Sequence, residues 1–347
     1  MKKLIIFLMT AALLVLPVRS AAPQGAARSM ILLHGPSGRV LAERNAHKRL
    51  PMASTTKIMT ALLTLENCSM DDVVEIKGEW TRVEGSSMYL RAGEVCTVRD
   101  LLHGLMLSSG NDAALALAGH CAGDEERFVE RMNEKAAALG MENTHFANPH
   151  GLPEEEHYSS AADMARLMAA AMENEDFRAV VSARYYHREG QSYKNHNKLL
   201  WQCEGTTGGK TGYTRVAGRC LVSSCCRNGL ELICVTLNDR NDWADHSALY
   251  DWGFAGYEGC CIPAGSLVAR VPVVGGTAAY AEAVASETLQ LCLDRGSQVE
   301  QSADLPRFVY APLSAGSSAG TLHLWVKGSK RAELPLVWAQ AVPEGKE

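Results

Sequence analysis

One stretch near the start of the chain decides how the rest is interpreted: Ala53-Ser54-Thr55-Thr56-Lys57-Ile58-Met59-Thr60-Ala61-Leu62-Leu63. Its apolar residues predict the start of a buried helix that has Ser54 at its tip and extends to about Glu66. Lys57 follows Ser54 at a spacing of three, so on a helix the two side chains lie on the same face. The spacing therefore predicts an amine beside a hydroxyl.

A lysine is an unfavourable residue at this position of a helix. In the first turn it meets the positive end of the helix dipole, which costs roughly 0.3–1 kcal/mol. The apolar neighbours of Lys57 would also leave its ammonium poorly hydrated. Both effects favour a neutral amine, which can act as a general base beside a nucleophile. A chain of this length contains about one S-x-x-K by chance, so a surface serine and lysine is the alternative until partners are found.

Composition limits the classes of protein to be considered. The 347 residues are 47% hydrophobic and 21% charged, as expected for a globular protein of about two domains. The net charge is −5 and no lysine- or arginine-rich block is present, so a nucleic-acid surface is not expected. No metal or cofactor is predicted.

The N-terminus reads as a secretory signal peptide at residues 1–22. Met1-Lys2-Lys3 is positively charged, residues 4–17 are apolar, and residues 18–22 offer small side chains for cleavage. The apolar run is shorter than the ~20 residues of a membrane-spanning helix, and an uncleaved anchor is the alternative. Because no later segment is long and apolar enough to span, no membrane-spanning helix is predicted in the mature chain. That chain is expected to work outside the cytoplasmic membrane, in the cell wall or periplasm or as a secreted protein.

The cysteine content leaves the disulfide question open. Eleven cysteines in an exported chain would normally indicate disulfides, and the odd count leaves at least one thiol unpaired or in an intermolecular bond. Most of these cysteines, however, lie in apolar runs, as small buried hydrophobic residues do. We therefore predict mainly reduced thiols.

Residues 23–260 are predicted to form an α/β (α+β) domain, in which a cluster of helices covers an antiparallel sheet. A hairpin is indicated by residues 30–33 and 39–42, and the pair Asn228-Gly229 turns a second hairpin into residues 230–237. Thr97 and Asp100 resemble a capping box at the start of a helix. The other helices are predicted at 113–118, 125–139, from about 160, and 242–254.

Residues 261–347 are predicted to form a small all-β domain. Helical patterns nearly vanish after about residue 263, and short β-rich runs alternate with glycine, proline and serine. The runs lie at 267–274, 287–293, 321–326 and 334–341.

Two further motifs follow the opening stretch. Ser109-Gly110-Asn111 lies between two helices, where a polar loop can point into a cleft, although alone it could be a linking turn. Lys210-Thr211-Gly212 lies on a strand after two glycines, although alone it could be an edge strand with a surface lysine. Each motif alone is weak evidence. The ordered set of three is strong evidence, because all three non-catalytic interpretations would have to be true at once.

In this order the motifs resemble the signature of penicillin-binding proteins and serine β-lactamases. Ser-Gly-Asn in place of Ser-Asp-Asn is similar to the low-molecular-mass D-alanyl-D-alanine carboxypeptidases, the penicillin-binding protein 5 group of peptidase family S11. The resemblance implies the serine β-lactamase/DD-peptidase fold with a β-sandwich-like tail. Further stretches that resemble this group are residues 144–152, 158–165, 195–200, 252–254 and 310–313, with Gly316 and Gly320.

The resemblance implies an acyl-transfer reaction on the D-alanyl-D-alanine end of a peptidoglycan stem peptide, with β-lactam antibiotics as covalent inhibitors. Ser54 would attack the penultimate carbonyl, release terminal D-alanine and leave an acyl-enzyme for water to hydrolyse. Lys57 would take the serine proton, with burial, the helix N-terminus and a nearby Lys210 lowering its pKa. Ser109 would relay a proton to the leaving amine, and Asn111 would hold Lys57 and the substrate amide.

The third motif would bind the substrate. Lys210 and Thr211 would meet its terminal carboxylate, which a cation and a hydroxyl suit. Gly212 has no side chain, so the substrate backbone could lie close to the strand. The oxyanion hole would consist of the backbone N–H groups of Ser54 and Tyr213.

Two features depart from the group. Many members carry an arginine after the sheet strand that binds the carboxylate; Arg240 is the candidate here, with an exposed surface arginine as the alternative. Members often end in an amphipathic membrane-binding helix, whereas residues 342–347 are short and polar, so we expect that anchor to be absent.

Three other functions compete with the carboxypeptidase. A class A β-lactamase would need a deacylating glutamate, but no convincing E-x-x-L-N occurs between Asn111 and Lys210, and the second domain also argues against it. A catalytically idle peptidoglycan-binding protein is disfavoured by intact Ser54, Lys57 and Lys210. An endopeptidase that cuts cross-links would use the same residues.

Overall fold

A computed structural model describes residues 21–188 and 190–345. The predicted signal peptide lies, except for residues 21 and 22, outside the described residues. None of the helices in the described part of the chain is both long and apolar enough to cross a membrane.

The first part of the chain folds around one antiparallel sheet. In chain order the strands up to residue 237 are β1 (Ser29–His34), β2 (Val40–Arg44), β3 (Val73–Glu75), β4 (Val95–Thr97), β5 (Tyr185–Arg188), β6 (Gln191–Lys194), β7 (Thr206–Thr214), β8 (Gly218–Arg227) and β9 (Leu230–Leu237). The main sheet has the order β2-β1-β9-β8-β7. The predicted hairpins are confirmed, and Asn228 (φ 51°) and Gly229 (φ 76°) have the positive φ angles of a tight hairpin turn.

Helices cover both faces of this sheet. A short 3₁₀ turn (Ala53–Thr56) leads into α1 (Lys57–Asn67), and the later helices are α2 (Val98–Leu107), α3 (Asn111–Ala122), α4 (Glu125–Ala138), α5 (Ala161–Met172), α6 (Glu175–Ser182), α7 (Leu199–Gln202) and α8 (Asp242–Gly256). On β1, Ile31 and Leu33 pack with the large helical cluster, whereas Met30 and Leu32 pack with α8. Successive side chains of β1 therefore point to opposite faces of the sheet, as expected for a strand that is buried on both faces.

Local end signals account for the helix boundaries. The Thr97–Asp100 capping box at the start of α2 is confirmed. Helix α4 ends before Gly140, whose φ of 67° suits a residue without a Cβ. Helix α6 was not predicted, although Asn174 accepts a hydrogen bond from the backbone N–H of Phe177 as its N-cap and acids follow in the first turn.

The end of the described chain is all β, as predicted. Its strands are β10 (Tyr257–Ile262), β11 (Leu267–Val274), β12 (Tyr280–Ala285), β13 (Leu289–Asp294), β14 (Val299–Asp304), β15 (Val309–Tyr310), β16 (Ser318–Val326) and β17 (Ser329–Trp338). Six form a sheet in the order β14-β16-β17-β12-β11-β15, and β10 pairs with β13. This region has its own apolar core, built around Leu322, Leu324, Leu334 and Leu336.

Candidate active site

The turn that carries Ser54 sits at the start of α1. Ala53 has φ 49°, a left-handed conformation that is uncommon for a residue with a Cβ. The 3₁₀ turn then runs directly into the α-helix at Lys57. Lys57 Nζ lies 3.0 Å from Ser54 Oγ. The spacing in the sequence therefore does bring the amine to the hydroxyl.

Lys57 is fully buried and has three oxygen neighbours. Besides Ser54 Oγ, its Nζ contacts Asn111 Oδ1 at 2.6 Å and the backbone oxygen of His150. A neutral amine has two N–H donors and one lone pair. If the N–H groups donate to Asn111 and His150, the lone pair is left for the Ser54 O–H, which is the arrangement of a general base.

The surroundings of Lys57 favour its neutral form. Burial is the largest cause that lowers the pKa of Lys57 well below its ordinary value, and the positive charge of Lys210 adds to this effect. The carboxylate of Asp112 acts in the opposite direction. Burial and Lys210 were both expected from the sequence, whereas Asp112 was not.

Lys210 lies on β7 and is also buried, with 1% of its surface exposed. Burial lowers the pKa of Lys210 to about 7. Its Nζ donates to the backbone oxygen of Thr211 at 2.9 Å. The side chain is not among the residues that line the cleft described below, so its contact with a substrate carboxylate stays a prediction.

Substitution Lys210→Met is expected to stabilise the fold in a pH-dependent way. Folded Lys210 loses its proton near pH 7, but unfolded lysine does so near pH ~10.4, so between these values the unfolded state binds more protons and stability rises with pH. Methionine carries no such cost. The free energy of unfolding of the variant should therefore exceed that of wild type by up to about 4 kcal/mol at pH 7, and this difference should shrink towards pH 10. Denaturant unfolding at several pH values measures it. Lys48→Met, which removes an exposed lysine, should give a difference that does not vary with pH.

Gly212 makes room for the Ser54 turn. A Cβ at position 212 would lie 3.0 Å from the backbone nitrogen of Ser54 and 3.0 Å from the backbone oxygen of Met52. Gly212 also lines the cleft, so the expectation that a substrate backbone lies close to this glycine stays a prediction. The missing side chain lets β7 approach the backbone of the turn at Gly212, the residue before Tyr213.

The loop before α3 carries the second motif. Ser109 is 5% exposed and has φ 63°, a strained conformation of the kind found at functional sites. Asn111 begins α3, where its Oδ1 meets Lys57 and its Nδ2 donates to the backbone oxygen of Glu84 at 2.6 Å. Both ends of the Asn111 amide are thus used within the protein. The expected hold on Lys57 is present, and because Nδ2 carries a second N–H, the contact with a substrate amide stays a prediction.

Asp112 organises one wall of the site, a role that the sequence analysis missed. Its carboxylate accepts hydrogen bonds from Ser87 Oγ at 2.6 Å and from the backbone N–H groups of Met88 and Leu90 at 3.0 and 3.1 Å. The neighbouring Asn111 N–H donates to the Ser86 oxygen at 2.7 Å. The start of α3 therefore fixes the segment 84–90 against the cleft.

The loop at residues 148–152 contacts α1 through its backbone oxygens. The backbone oxygen of His150 accepts from Lys57 Nζ. The backbone oxygen of Pro149 accepts from Thr60 Oγ1 at 2.6 Å. Gly151 has φ 91°, and a Cβ there would collide with the backbone oxygen of Ala53. Burial is the largest cause that lowers the pKa of His150 to about 3, so its ring is neutral. The family resemblance pointed to this stretch without giving it a role.

These elements surround an open cleft of about 470 Å³. Its lining residues are Ser54, Ser86, Ser109, His196, Lys198, Thr211, Gly212, Tyr213, Arg219, Asp242 and Trp243. A second cleft, of about 480 Å³, lies between the β1–β2 turn and β13, and its lining in the described part of the chain includes none of the predicted site residues, five of which line the first cleft. The chemistry predicted from the sequence therefore belongs to the first.

An arginine lines this cleft, but it is not the one proposed from the sequence. Arg240 is exposed and is not among the lining residues. Arg219 on β8 lines the cleft instead, directly across the strand pair from Tyr213. Its guanidinium makes two bonds to the buried carboxylate of Asp242, at 3.0 and 2.7 Å.

Comparison with known proteins now identifies the family. Residues 17–241 match the family model described as D-alanyl-D-alanine carboxypeptidase. The chain belongs to the D-alanyl-D-alanine carboxypeptidase family. Residues 261–344 match the C-terminal domain of penicillin-binding protein 5.

Members of the D-alanyl-D-alanine carboxypeptidase family resemble this chain over most of its length. It is 35% identical to D-alanyl-D-alanine carboxypeptidase DacF of Bacillus subtilis over 329 residues, which cover 89% of this chain and 84% of the relative. It is 34% identical to DacA of Escherichia coli over 347 residues, covering 93% and 85% of the two chains. The crystal structure of penicillin binding protein 5 from Haemophilus influenzae superposes with a TM-score of 0.76 at 30% identity, covering 94% of this chain and all of that one. The predicted fold is confirmed by this likeness.

Proposed function

We propose that this protein is a serine-type D-alanyl-D-alanine carboxypeptidase that removes the terminal D-alanine from peptidoglycan stem peptides. One observation carries the proposal: Ser54 Oγ faces a cleft and lies 3.0 Å from a buried amine whose pKa is lowered. That is the arrangement of a nucleophile with its base. The relatives that match most of the chain are named for this activity.

The proposed reaction has two steps. Ser54 Oγ attacks the penultimate carbonyl carbon while its proton passes to Lys57 Nζ. The C–N bond to the terminal residue then breaks, and a proton reaches the leaving amine through Ser109, so that free D-alanine departs from a Ser54 acyl-enzyme. Water hydrolyses the ester, which returns the proton to Ser54. β-lactams would acylate the same serine.

The backbone would stabilise the oxyanion of both steps. The Ser54 nitrogen lies close to β7, 3.0 Å from where a Cβ at position 212 would be, which supports an oxyanion hole formed by the N–H groups of Ser54 and Tyr213. Loss of one such donor typically costs ~3–4 kcal/mol of transition-state stabilisation.

The substrate carboxylate would bind near Thr211 and Arg219, which both line the cleft. Lys210 would add positive charge whenever it is protonated. Because Asp242 already pairs with Arg219, the guanidinium is held in place rather than free to move. A fixed cation favours recognition of a small anionic chain end.

Substitution Arg219→Gln is expected to raise KM for a peptide ending in D-Ala-D-Ala about tenfold, with little change in kcat. It removes a cation from the cleft and leaves the Asp242 carboxylate unpaired, so the local charge becomes repulsive to the substrate. Steady-state kinetics of D-alanine release measure both constants. The double variant Arg219→Gln/Asp242→Asn should recover only the part of the KM rise that the uncompensated Asp242 carboxylate causes, since no cation returns to the cleft. The control Arg240→Gln removes the same charge from a residue that does not line the cleft. An equal rise in KM in this control would contradict the assignment of Arg219 to carboxylate binding.

The function is tested with two assays on the wild-type protein. Fluorescent penicillin should label the chain covalently, and a peptide ending in D-Ala-D-Ala should release free D-alanine. Labelling without D-alanine release would favour the idle binding protein, and rapid turnover of the penicillin would favour the β-lactamase. Cleavage of cross-linked peptides in preference to free D-Ala-D-Ala ends would favour the endopeptidase.

We also propose a division of the chain that accords with this function. Residues 1–22 would direct export, residues 23–260 would form the DD-peptidase domain, and residues 261–347 the β-sandwich-like domain. The family models match on either side of this boundary, at 17–241 and 261–344, although strand β10 runs across it. The substrate is a cell-wall polymer, which accords with action outside the cytoplasmic membrane.

A further inference from the structure

Two cysteines meet at the end of α1 that lies away from the cleft. Cys68 directly follows α1, and its N–H donates to the Thr64 oxygen at 2.8 Å. Cys121 lies in the last turn of α3. Their Sγ atoms are 2.8 Å apart, and both residues are partly exposed. This separation is shorter than ordinary non-bonded packing, so the two thiols face each other.

The position of this pair relates it to the active site. Helix α1 begins at Lys57 and α3 begins at Asn111, and those two side chains are joined at 2.6 Å. The two helices therefore touch at the cleft through Lys57 and Asn111, and again about 16 Å away at the opposite end through Cys68 and Cys121. A covalent bond at the second point would hold the pair of helices at both ends.

A metal ion is the competing use of Cys68. Its Sγ, an oxygen of Asp72 and a nitrogen of His120 lie within 4.8 Å of one another, and Asp72 Oδ2 is 3.7 Å from His120 Nε2. Zinc accepts such ligands, but two thiolates on one zinc stand roughly 3.7 Å apart, as bonds of ~2.3 Å in a tetrahedron require. The two sulfurs are closer than that, which argues against a zinc ion bound by both cysteines; the experiment below distinguishes a zinc ion bound by Cys68, Asp72 and His120 from a disulfide. The Arg131 guanidinium, which donates to the Cys121 oxygen at 3.0 Å, also places a positive charge at this end.

We propose that Cys68 and Cys121 form a disulfide in the exported protein. The thiolate of one cysteine attacks a sulfur of a disulfide-containing oxidant and displaces one thiolate from it. The second cysteine then attacks the mixed disulfide, forms the Cys68–Cys121 bond and releases the other thiolate. The two cysteines lose two protons and two electrons in total, and the oxidant is reduced to two thiols.

Cys68 is suited to attack first. The hydrogen bond from Cys121 is the largest cause that lowers the pKa of Cys68. The same contact and burial raise the pKa of Cys121, so the proton stays there. Since both residues are partly exposed, an external disulfide can reach them. This pair is therefore an exception to the expectation of mainly reduced thiols.

The bond would close a segment of 53 residues that contains the whole of α2 and ends in α3. Such a link restricts the unfolded chain, and for a domain of this size we expect the melting temperature to be about 5–10 °C higher in the oxidised protein. The effect concerns stability, so it can be tested whether or not the proposed carboxypeptidase activity is found.

The test begins with the wild-type protein equilibrated in a mixture of oxidised and reduced glutathione. Free thiols are blocked by alkylation, and the protein is digested without reductant. A peptide that joins Cys68 to Cys121, 2 Da lighter than its reduced parts, is the expected result. Reductant should lower the melting temperature of wild type and of Cys226→Ser, a control that removes another half-buried cysteine. The double variant Cys68→Ala/Cys121→Ala should melt at one temperature under both conditions.

Two outcomes would overturn the proposal. One is alkylation of both Cys68 and Cys121 after equilibration in the oxidising mixture. The other is about one equivalent of zinc that survives dialysis and is lost in His120→Ala, which would assign Cys68 to a metal site. Because His120 plays no part in a disulfide, His120→Ala should leave the cross-linked peptide in place.

Discussion

Ser54→Ala is expected to abolish covalent labelling by fluorescent penicillin and to lower D-alanine release by at least about 10⁴-fold. The hydroxyl is the only group on this turn that lies both on the cleft and within 3.0 Å of the buried amine. Without it, Lys57 has no proton to accept and no acyl-enzyme can form. Gel fluorescence after incubation with the penicillin and a D-alanine assay measure the two effects.

The fold should survive this change, because Ser54 is only partly buried and the turn is held by other contacts. Thr55 Oγ1 donates to the Met52 oxygen at 2.6 Å, and Thr56 Oγ1 donates to the Ala53 oxygen at 2.8 Å. An unchanged melting temperature would confirm that the loss is chemical. Ser182→Ala removes a serine from the exposed end of α6 and should label as wild type does. Labelling of Ser54→Ala would mean that the nucleophile is another residue.

Local patterns in the sequence predicted those parts of the site that depend on a few neighbouring residues. The Ser54–Lys57 contact follows from the spacing of side chains within one helical turn. The β8–β9 hairpin follows from Asn228-Gly229, since few other pairs accept positive φ at both positions. In both cases the physical cause acts within four residues, so no knowledge of the distant chain is needed.

The parts of the site that the sequence did not reveal depend on distant segments. The backbone oxygen that contacts Lys57 belongs to His150, and any residue could supply a carbonyl, so no sequence pattern marks it. The absent side chain of Gly212 was evident, but the neighbour that occupies its space is the Ser54 turn, which only the tertiary structure brings there. The sequence did not reveal Arg219 for the same reason, because its position in the cleft depends on the pairing of β7 with β8.

Lys57→Met is expected to lower the rate of acylation by penicillin about 10³-fold while Ser54 stays in place. Methionine has nearly the length of lysine, so the packing of α1 is kept, but no base remains for the Ser54 proton. The variant leaves Asn111 Oδ1 and the His150 oxygen without their donor, at a cost of about 1–3 kcal/mol each. Removal of the buried amine, whose charged form is strongly disfavoured here, offsets part of that cost. Stopped-flow or quenched labelling measures the rate, and acylation within tenfold of wild type would rule out Lys57 as the base.

The pH dependence separates a base from a merely structural lysine. In wild type the acylation rate should rise with pH as Lys57 loses its proton, over a range well below the ordinary lysine pKa. In Lys57→Met this rise should disappear. In Lys210→Met it should move to higher pH, because the positive charge of Lys210 helps to lower the pKa of Lys57. An unmoved rise in Lys210→Met would therefore show that burial alone keeps Lys57 neutral.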